Sequence, residues 1–297
     1  MSEPLLVVVG PTAGGKTELA LRLAERYGGE IVSADSVQLY RRFDVGSGKP
    51  TAEERARAPH HLIDWVEPDA PMDAARWVAG ADAAIAEIRA RGKRPIVCGG
   101  TFLWVRSLIW GLSGAPPADE RVRARHRERA EREGRAALHA ELARVDPRTA
   151  ARLAPNDLVR VGRALEVFEL TGTPLSAWHD AHGLREQRYA ARLLGVERAR
   201  DELDRRIHAR VEQMLARGWV EEVRALIREG YGEARAMSSV GYFQVAEAVQ
   251  GRASSEPAAL TEAIWRATRV FARRQRTWLR EREVEWLSPD IRELPGL

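Results

Sequence analysis

Cysteine and long apolar runs are almost absent from the sequence. Its 297 residues include one cysteine, Cys98, which excludes an internal disulfide framework and argues against a zinc site built on cysteines. No apolar run approaches the roughly 20 residues that span a bilayer. The first apolar run, residues 5–9, is too short for a signal peptide and follows no basic leader. We therefore expect a cytoplasmic protein that has no membrane segment.

Lysine is scarce as well, because every basic residue other than Lys16, Lys49 and Lys93 is an arginine. Lysine and arginine together number 47 against 43 acidic residues, which gives a net charge of +4. That excess does not identify a partner, since mixed charge is typical of a solvated surface. Two of the three lysines, Lys16 and Lys49, lie in loops that contain glycine, which sets them apart from the arginines.

Apolar residues make up 44% of the chain and charged residues 30%, which is typical of a globular protein and excludes a disordered or fibrous one. Apolar strands are predicted at residues 5–9, 30–34 and 94–98, with helices at 17–27 and 74–91. Strands that alternate with helices indicate a parallel α/β sheet.

The pattern changes in the middle of the chain. Between residues 114 and 188 no strand is predicted, and helical periodicity appears at 121–133, 136–145 and 158–170. Strand character returns at 189–196 and 284–287, and helices are predicted at 201–217, 220–229 and 256–283. We therefore expect an all-helical insertion, 114–188, within a core formed by residues 1–113 and 189–297.

The segment GPTAGGKT, residues 10–17, is a complete G-x-x-x-x-G-K-T motif between an apolar strand and a helix. This context predicts a P-loop, in which backbone N–H groups and the positive end of a helix hold a phosphate chain. The fold expected is therefore a P-loop NTPase-like sheet. Lys16 supplies a mobile cation, and the Thr17 hydroxyl can bind Mg²⁺. The predicted diphosphate-binding residues are Gly10, Pro11, Thr12, Ala13, Gly14, Gly15, Lys16 and Thr17.

Two other polar segments follow predicted strands, at the edge where open α/β sheets bind ligands. Asp35 could hold Mg²⁺, accept a proton or cap a helix. The segment Gly99-Gly100-Thr101 allows either close approach to a ligand or a tight turn. From position alone, these alternatives stay open.

The C-terminal helix is basic, and Arg273, Arg276 and Arg280 share one face at steps of three and four residues. Phe271 and Trp278 lie on the same helix, and a basic face beside aromatic side chains suits an RNA backbone and unstacked bases. A solvated charged helix is the alternative, which the scarcity of acidic residues from 266 to 280 disfavours.

Histidine and cysteine give weaker signals. Adjacent histidines point apart on regular structure, so we interpret His60 and His61 as structural residues rather than metal ligands, and His179 and His182 likewise. Cys98 is most simply a buried strand residue.

In combination these segments resemble the tRNA dimethylallyltransferase (tRNA isopentenyltransferase) family in its bacterial form. The segments that carry the resemblance, in order, are GPTAGGKT (10–17), DSVQLY (35–40), DVGSGKP (44–50), APHHLID (58–64), GGT (99–101), PNDLVRVGRALEV (155–167), VGYFQ (240–244) and the basic helix 267–280. They span nearly the whole chain and are together far more specific than the P-loop.

The resemblance implies transfer of a dimethylallyl group from dimethylallyl diphosphate to N6 of the adenosine 3′-adjacent to the anticodon (position 37), in tRNAs reading codons that start with U. The P-loop would hold the diphosphate leaving group rather than ATP, with Mg²⁺ as cofactor. The implied catalytic residues are Asp35 as the base, Thr101 beside it, and Lys16 and Arg210 as cations. Nothing in the sequence demands an oligomer, so we expect a monomer.

The same resemblance implies contacts with the anticodon stem-loop of tRNA from several parts of the chain. A stacked base cannot be modified, so the adenosine must turn out into a pocket. The implied tRNA-binding residues are Asp35, Ser36, Val37, Gln38 and Thr101; Arg123, Val159, Arg160, Val161, Gly162 and Arg163; Ser238, Gly241, Tyr242 and Phe243; and Arg273, Arg274, Gln275, Arg276, Trp278 and Arg280.

Two departures from the family pattern affect these residues: Gly14 replaces the usual serine, and Phe243 stands where members often have a basic residue. The alternatives are an isopentenyltransferase of free adenine nucleotides, a P-loop kinase of small molecules, and an RNA-binding module without catalysis. The helical insertion and the basic helix disfavour the first, the segment 35–50 disfavours the second, and the intact Lys16, Asp35 and Thr101 disfavour the third.

Overall fold

The structure, a computed structural model, describes residues 3–183, 187–280, 282–289, 294 and 296. Residues 184–186 of the predicted insertion, residue 281 of the predicted final helix, and residues 1, 2, 290–293, 295 and 297 of the predicted core lie outside the described residues. The chain divides into two compact units, one of Met1–Ile109 with Arg188–Leu297, the other of Trp110–Gln187. That the helical part is a tRNA-binding domain stays a prediction.

The larger unit is built on one parallel sheet. Its strands are β1 Leu5–Val8, β2 Gly29–Ser33, β3 His60–His61, β4 Arg94–Cys98, β5 Ala191–Val196 and β6 Val284–Leu287. They pair in the order β3-β2-β4-β1-β5-β6, with Val7 of β1 opposite Val97 on one side and Leu193 on the other. Strands covered on both faces are expected to be apolar throughout, as β1 is. The predicted parallel α/β fold is confirmed.

Helices flank this sheet and form the whole regular structure of the smaller unit, as far as its residues are described. None of the described helices combines the length and the apolar character needed to cross a bilayer. The helices are α1 Lys16–Tyr27, α2 Ala52–Arg57, α3 Ala74–Ala90, α4 Phe102–Trp110, α5 Glu120–Glu133, α6 Arg135–Val145, α7 Pro147–Ala150, α8 Leu158–Thr171, α9 Leu175–His182, α10 Arg200–Ala216, α11 Trp219–Arg228, α12 Tyr242–Val249 and α13 Pro257–Leu279.

A buried carboxylate organises the helical unit. Glu166 of α8 is 0% exposed; it accepts hydrogen bonds from the N–H of Asp119 at 2.6 Å, from Arg123 Nε at 3.1 Å and from Arg163 Nη1 at 2.7 Å. Burial opposes ionisation of Glu166, but the bonds from Arg163 and Asp119 outweigh it and hold its pKa below the usual value. The Arg123 guanidinium joins α5 to α8, whereas Arg163 pairs with Glu166 within α8 and donates to the carbonyl of Pro116 in the segment before α5. Both arginines were predicted to contact tRNA, and those contacts stay predictions.

We expect Glu166→Gln to destabilise the protein by about 3 kcal/mol at neutral pH, because both arginines lose a buried charged partner. The folded-state pKa of Glu166 lies below 4.5, so its stabilising contribution is complete above that value and is lost as the pH falls through the lower, folded-state pKa. Urea unfolding at neutral pH and at about pH 3 measures both effects. The matched control is Glu131→Gln, an exposed position on α5. Equal effects of the two substitutions at neutral pH would contradict this role.

Candidate active site

The candidate residues lie at the carboxyl ends of adjacent strands. Because β2, β4 and β1 are neighbours in the sheet, Asp35, Thr101 and the P-loop (residues 10–17) follow strand ends at one edge. The connection is direct, since the Thr101 N–H donates to the carbonyl of Ala34 at 3.1 Å. The structure therefore brings together three segments that are far apart in sequence.

The carbonyl oxygen of Pro11 accepts two hydrogen bonds that hold the P-loop in a tight turn. The Gly14 N–H donates to this oxygen at 3.1 Å, and Lys16 Nζ donates to it at 2.8 Å. A Cβ atom at residue 14 would lie 2.9 Å from the same oxygen, closer than packed side chains approach backbone atoms. The glycine at the position where the family usually has serine therefore fits the tight turn that this loop makes.

Two cations, Lys16 and Arg210, make the site strongly positive. Neither lies within ion-pair distance of a carboxylate in the described part of the chain. Burial lowers the pKa of Lys16, and Arg210 adds to the effect, whereas Cys98 and Asp35 oppose it. Burial likewise lowers the pKa of Arg210. Desolvated charge without a partner is costly, so this site favours an anionic ligand.

Two further arginines contact the P-loop, although we did not identify them from the sequence. Arg206 Nε donates to the carbonyl of Ala13 at 2.9 Å, and Arg198 Nε lies 3.4 Å from the carbonyl of Gly14. Arg206 and Arg210 are one turn apart on α10 and share a face. This four-residue spacing is the signal that could have revealed Arg206.

Asp35 fixes the turn that follows it, since residues 36–39 form a turn and not a helix that it could cap. Its Oδ1 accepts hydrogen bonds from the N–H groups of Val37 at 2.9 Å and Gln38 at 3.2 Å. Its Oδ2 accepts none from the described residues. The Ser36 N–H donates to Thr101 Oγ1 at 3.1 Å, which fixes Thr101 beside this carboxylate. One oxygen of Asp35 thus shapes the turn, and the other remains available to accept a proton.

Lys49 stabilises the loop formed by residues 44–50 and does not face a ligand site. Its Nζ is buried and donates to Asp44 Oδ1 at 2.6 Å and to Asp64 Oδ1 at 2.5 Å. Gln38 Nε2 donates to the carbonyl of Gly48 at 3.1 Å. These bonds join the motifs DVGSGKP and APHHLID to the segment that follows Asp35.

Tyr242 is 1% exposed, so its side chain does not present a surface to RNA, which corrects its predicted role. Its hydroxyl donates to Glu222 Oε1 at 2.6 Å and accepts from the Ser47 N–H at 3.1 Å. Glu222 Oε2 also accepts from the N–H groups of Asp44 at 2.9 Å and Val45 at 2.6 Å. Burial raises the pKa of Tyr242. Tyr242 and Glu222 therefore hold the loop that contains Gly48, which Arg210 contacts.

The neighbours of Tyr242 differ in exposure. Gly241 is buried against Trp219, where a Cβ would overlap the indole ring. Ser238 is exposed, and so is Phe243, with 49% of its surface accessible. Of the four residues predicted here, Ser238 and Phe243 are those whose side chains can reach a partner.

In the helical unit, the first turn of α8 separates exposed from buried positions. Val159 is 83% exposed, and the Arg160 side chain is 73% exposed. Val161 is 1% exposed and packs with Leu138, Leu142 and other core residues. Val161 is thus a core residue, which corrects its predicted role, and Gly162 is buried beside it.

Four arginines lie near the C-terminal end of α13, the last of them one residue beyond it. Arg273, Arg274 and Arg280 are exposed, and Arg276 is half-buried. None of the four lies within ion-pair distance of an acidic residue in the described part of the chain. By contrast, Arg266 and Arg269, earlier in the helix, pair with Glu262 and Asp204.

Two other α13 residues predicted to bind tRNA face the protein instead. Gln275 is 5% exposed; it accepts a hydrogen bond from the Thr12 N–H at 2.8 Å and donates to the carbonyl of Gly100 at 3.0 Å. Trp278 stacks on Phe102, with ring centroids 4.4 Å apart and planes 2° from parallel. The burial and hydrogen bonds of Gln275 correct the prediction that its side chain contacts tRNA directly.

His60, His61 and Cys98 are surrounded by protein groups that account for their positions. His60 Nδ1 lies 2.8 Å from the carbonyl of Ala58, and His61 Nε2 lies 2.7 Å from Glu30 Oε2. Burial raises the pKa of Cys98 to about 11, so its thiol stays neutral. Within the described ranges no group of three or more His, Cys, Asp or Glu residues could hold a metal ion.

The sequence matches two family models. The model for IPP transferase covers residues 38–282, and the model for isopentenyl transferase covers residues 4–62. Among curated proteins, the chain is 65% identical to a tRNA dimethylallyltransferase of Sorangium cellulosum, across 96% of this chain and 90% of that one. It is 54% identical to a tRNA dimethylallyltransferase of Anaeromyxobacter dehalogenans, across 96% and 95% of the two chains.

Solved structures agree with these matches. The tRNA isopentenylpyrophosphate transferase of Bacillus halodurans superposes with a TM-score of 0.71 at 35% identity, covering 97% of this chain and 90% of that one. A eukaryotic dimethylallyltransferase described as acting on tRNA gives a TM-score of 0.80 at 24% identity, with coverage of 97% and 74%, and shares the fold. The chain therefore belongs to the tRNA dimethylallyltransferase family.

Proposed function

We propose that this protein transfers the dimethylallyl group of dimethylallyl diphosphate to N6 of adenosine 37 in tRNAs that read codons starting with U, and releases diphosphate. Family membership supports a transferase that prenylates tRNA. One observation supports the assignment of the site. A positively charged P-loop lies at the same sheet edge as Asp35, and one carboxylate oxygen of Asp35 is available.

The P-loop serves the leaving group in this proposal. As the bond between C1 of the dimethylallyl group and the diphosphate oxygen breaks, negative charge develops on diphosphate. Donors and cations already in place at such a position lower the barrier without reorganising. Lys16 and Arg210 supply that charge, and Lys16 exchanges the Pro11 carbonyl for a phosphate oxygen when the substrate binds.

Asp35 serves the nucleophile. N6 of the adenosine forms a bond to C1 as the C1–O bond breaks, and one N6 proton passes to Asp35 Oδ2. The Oδ1 bonds to Val37 and Gln38 keep the carboxylate oriented during the transfer. Thr101 lies beside Asp35 through its bond from Ser36 and positions the amine.

The donor groups present fit Mg²⁺ held mainly by the substrate. Mg²⁺ in phosphate sites keeps several water ligands and takes few protein ligands. Thr17 at the start of α1 offers one hydroxyl, and the diphosphate would supply further oxygens. When bound, the ion would neutralise charge on the diphosphate.

The alternatives are less well supported. The isopentenyl transferase model covers only residues 4–62, which contain the P-loop and Asp35, whereas the IPP transferase model extends to residue 282 and includes α13. A free nucleotide or a small-molecule kinase substrate would not need the unpaired arginines of α13. Because every group that the reaction uses comes from one chain, we also propose a monomer, acting in the cytoplasm on tRNA.

The acceptor can be identified directly. With labelled dimethylallyl diphosphate and Mg²⁺, we expect label on an anticodon stem-loop that has adenosine at position 37, and none on the same loop with guanosine there or on free AMP. Label on AMP would move the assignment to the free-nucleotide reaction. ATP turnover without any prenyl transfer would favour a kinase.

We expect Asp35→Asn to lower kcat on the order of 10²-fold or more, because the amide oxygen can keep the hydrogen bonds of the turn but cannot accept the N6 proton. The affinity for the stem-loop should stay near that of the unsubstituted protein. Asp69→Asn, at an exposed position, is the control. A loss of stem-loop binding equal to the loss of turnover would instead make Asp35 a recognition residue.

Arg276→Ala should weaken stem-loop binding and reduce the slope of log K against log salt by about 1, because one phosphate contact and its released counterion are lost. Fluorescence anisotropy across a salt series measures the slope. Arg266→Ala is the matched control, since Arg266 already pairs with Glu262 on the same helix. Equal slopes for Arg276→Ala and the control would remove Arg276 from the RNA-binding surface.

A further inference from the structure

Gln275 joins the two loops between which the chemistry is proposed to occur. Its side chain reaches from α13 to the P-loop, where Oε1 accepts from the Thr12 N–H at 2.8 Å. From the same amide, Nε2 donates to the carbonyl of Gly100 at 3.0 Å, next to Thr101. Both polar atoms of this buried amide therefore have protein partners.

The fit around this amide is close. A Cβ atom at Gly100 would overlap Gln275 Nε2, so glycine at position 100 leaves the space that the amide occupies. One turn further along α13, Trp278 stacks on Phe102, the first residue of α4 and the residue that follows this loop. The helix is thus fixed to the segment 100–102 by a polar and an aromatic contact.

The contact extends from Gly100 to the proposed base. Thr101 accepts from the Ser36 N–H, and Ser36 is next to Asp35. In the other direction, Thr12 belongs to the loop whose Pro11 carbonyl binds Lys16. A displacement of the Gln275 amide would therefore change the distance between the loop that holds the diphosphate and the loop that holds the nucleophile.

We propose that Gln275 is a positioning residue for dimethylallyl transfer, which keeps the P-loop and the Gly99–Thr101 loop at the separation that the reaction requires. This inference rests on the proposed function, since the two loops must present two substrates to each other. Misplacement of reacting groups by about 1 Å can cost on the order of 10²-fold in rate. Gln275 touches no substrate in this role.

The first test is Gln275→Met, which preserves the length of the side chain and removes both hydrogen bonds. We expect kcat for transfer to the stem-loop to fall by roughly 10- to 100-fold. The dissociation constant of the stem-loop and its salt dependence should change by less than about 2-fold, because the arginines of α13 remain. Thr277→Ala, at an exposed position on the same helix, is the control.

The two possible roles of Gln275 predict opposite results. If Gln275 contacts tRNA directly, Gln275→Met will weaken stem-loop binding and leave kcat unchanged, which would overturn the proposal. An unchanged kcat with unchanged binding would overturn it as well. If the unsubstituted protein transfers no label to the stem-loop, the proposed function fails. If it transfers label and Gln275→Met does so at the same rate, only this inference fails.

A second variant acts from the opposite side of the contact and keeps the proposal testable should Gln275→Met fold poorly. Gly100→Ala places a methyl group where the Gln275 amide lies, so it should also lower kcat with little effect on stem-loop binding. In a double-mutant cycle with Gln275→Ala, the methyl group meets no amide, and Gly100→Ala should add little further loss. Fully additive losses would show that the two residues act separately.

Discussion

The charge at the P-loop is the constraint on which the rest of the site depends. Lys16 and Arg210 are partly removed from water, and no carboxylate of the described chain pairs with either. Lys16 donates to a carbonyl of its own loop, which compensates only part of a desolvated charge. In the proposed function, a diphosphate supplies the missing negative charge, so the site would be electrostatically complete only with its substrate or product bound.

A site with this charge needs loops that do not collapse onto it, and the surrounding polar network prevents that collapse. The buried Lys49 donates to Asp44 and Asp64, and Glu222 accepts hydrogen bonds from backbone N–H groups of the same loop. Each of these carboxylates is engaged away from the P-loop. These three acidic residues therefore support the loop beside the site, whereas Asp35 has an oxygen that accepts no hydrogen bond from the described residues and that the proposed reaction uses.

Much of the fold follows from patterns visible in the sequence. The apolar strand before GPTAGGKT and the helix after it are present as β1 and α1, and the closing strand at 284–287 pairs with β5. The two-residue strand His60–His61 was not predicted, because it pairs only with Ile31 and Val32 at the sheet edge and has no apolar pattern of its own. Local pattern cannot reveal a strand whose stability comes from its neighbour.

The roles of the candidate site residues were harder to predict from the sequence than the fold was. The P-loop, Asp35 and Thr101 meet as their positions after strands suggest, and their roles in the reaction stay proposals. Motif resemblance did not separate residues that meet RNA from residues that hold the loops. Tyr242 and Val161 are examples, since both lie in motifs from which RNA contacts were predicted and both are buried. Exposure is a tertiary property, and a motif of a few residues does not contain it.

Helix α13 shows how one element can carry both roles. Its buried positions include Ala272, Gln275 and Leu279, at steps of three and four residues. This spacing places Gln275 on the inner stripe, although arginines flank it in sequence and make it look like part of a basic run. The arginines that fall between these positions point away from the core. Helical period, rather than local composition, thus decides which residues of α13 face solvent, where we propose that RNA binds, and which residue contacts the P-loop and Gly100.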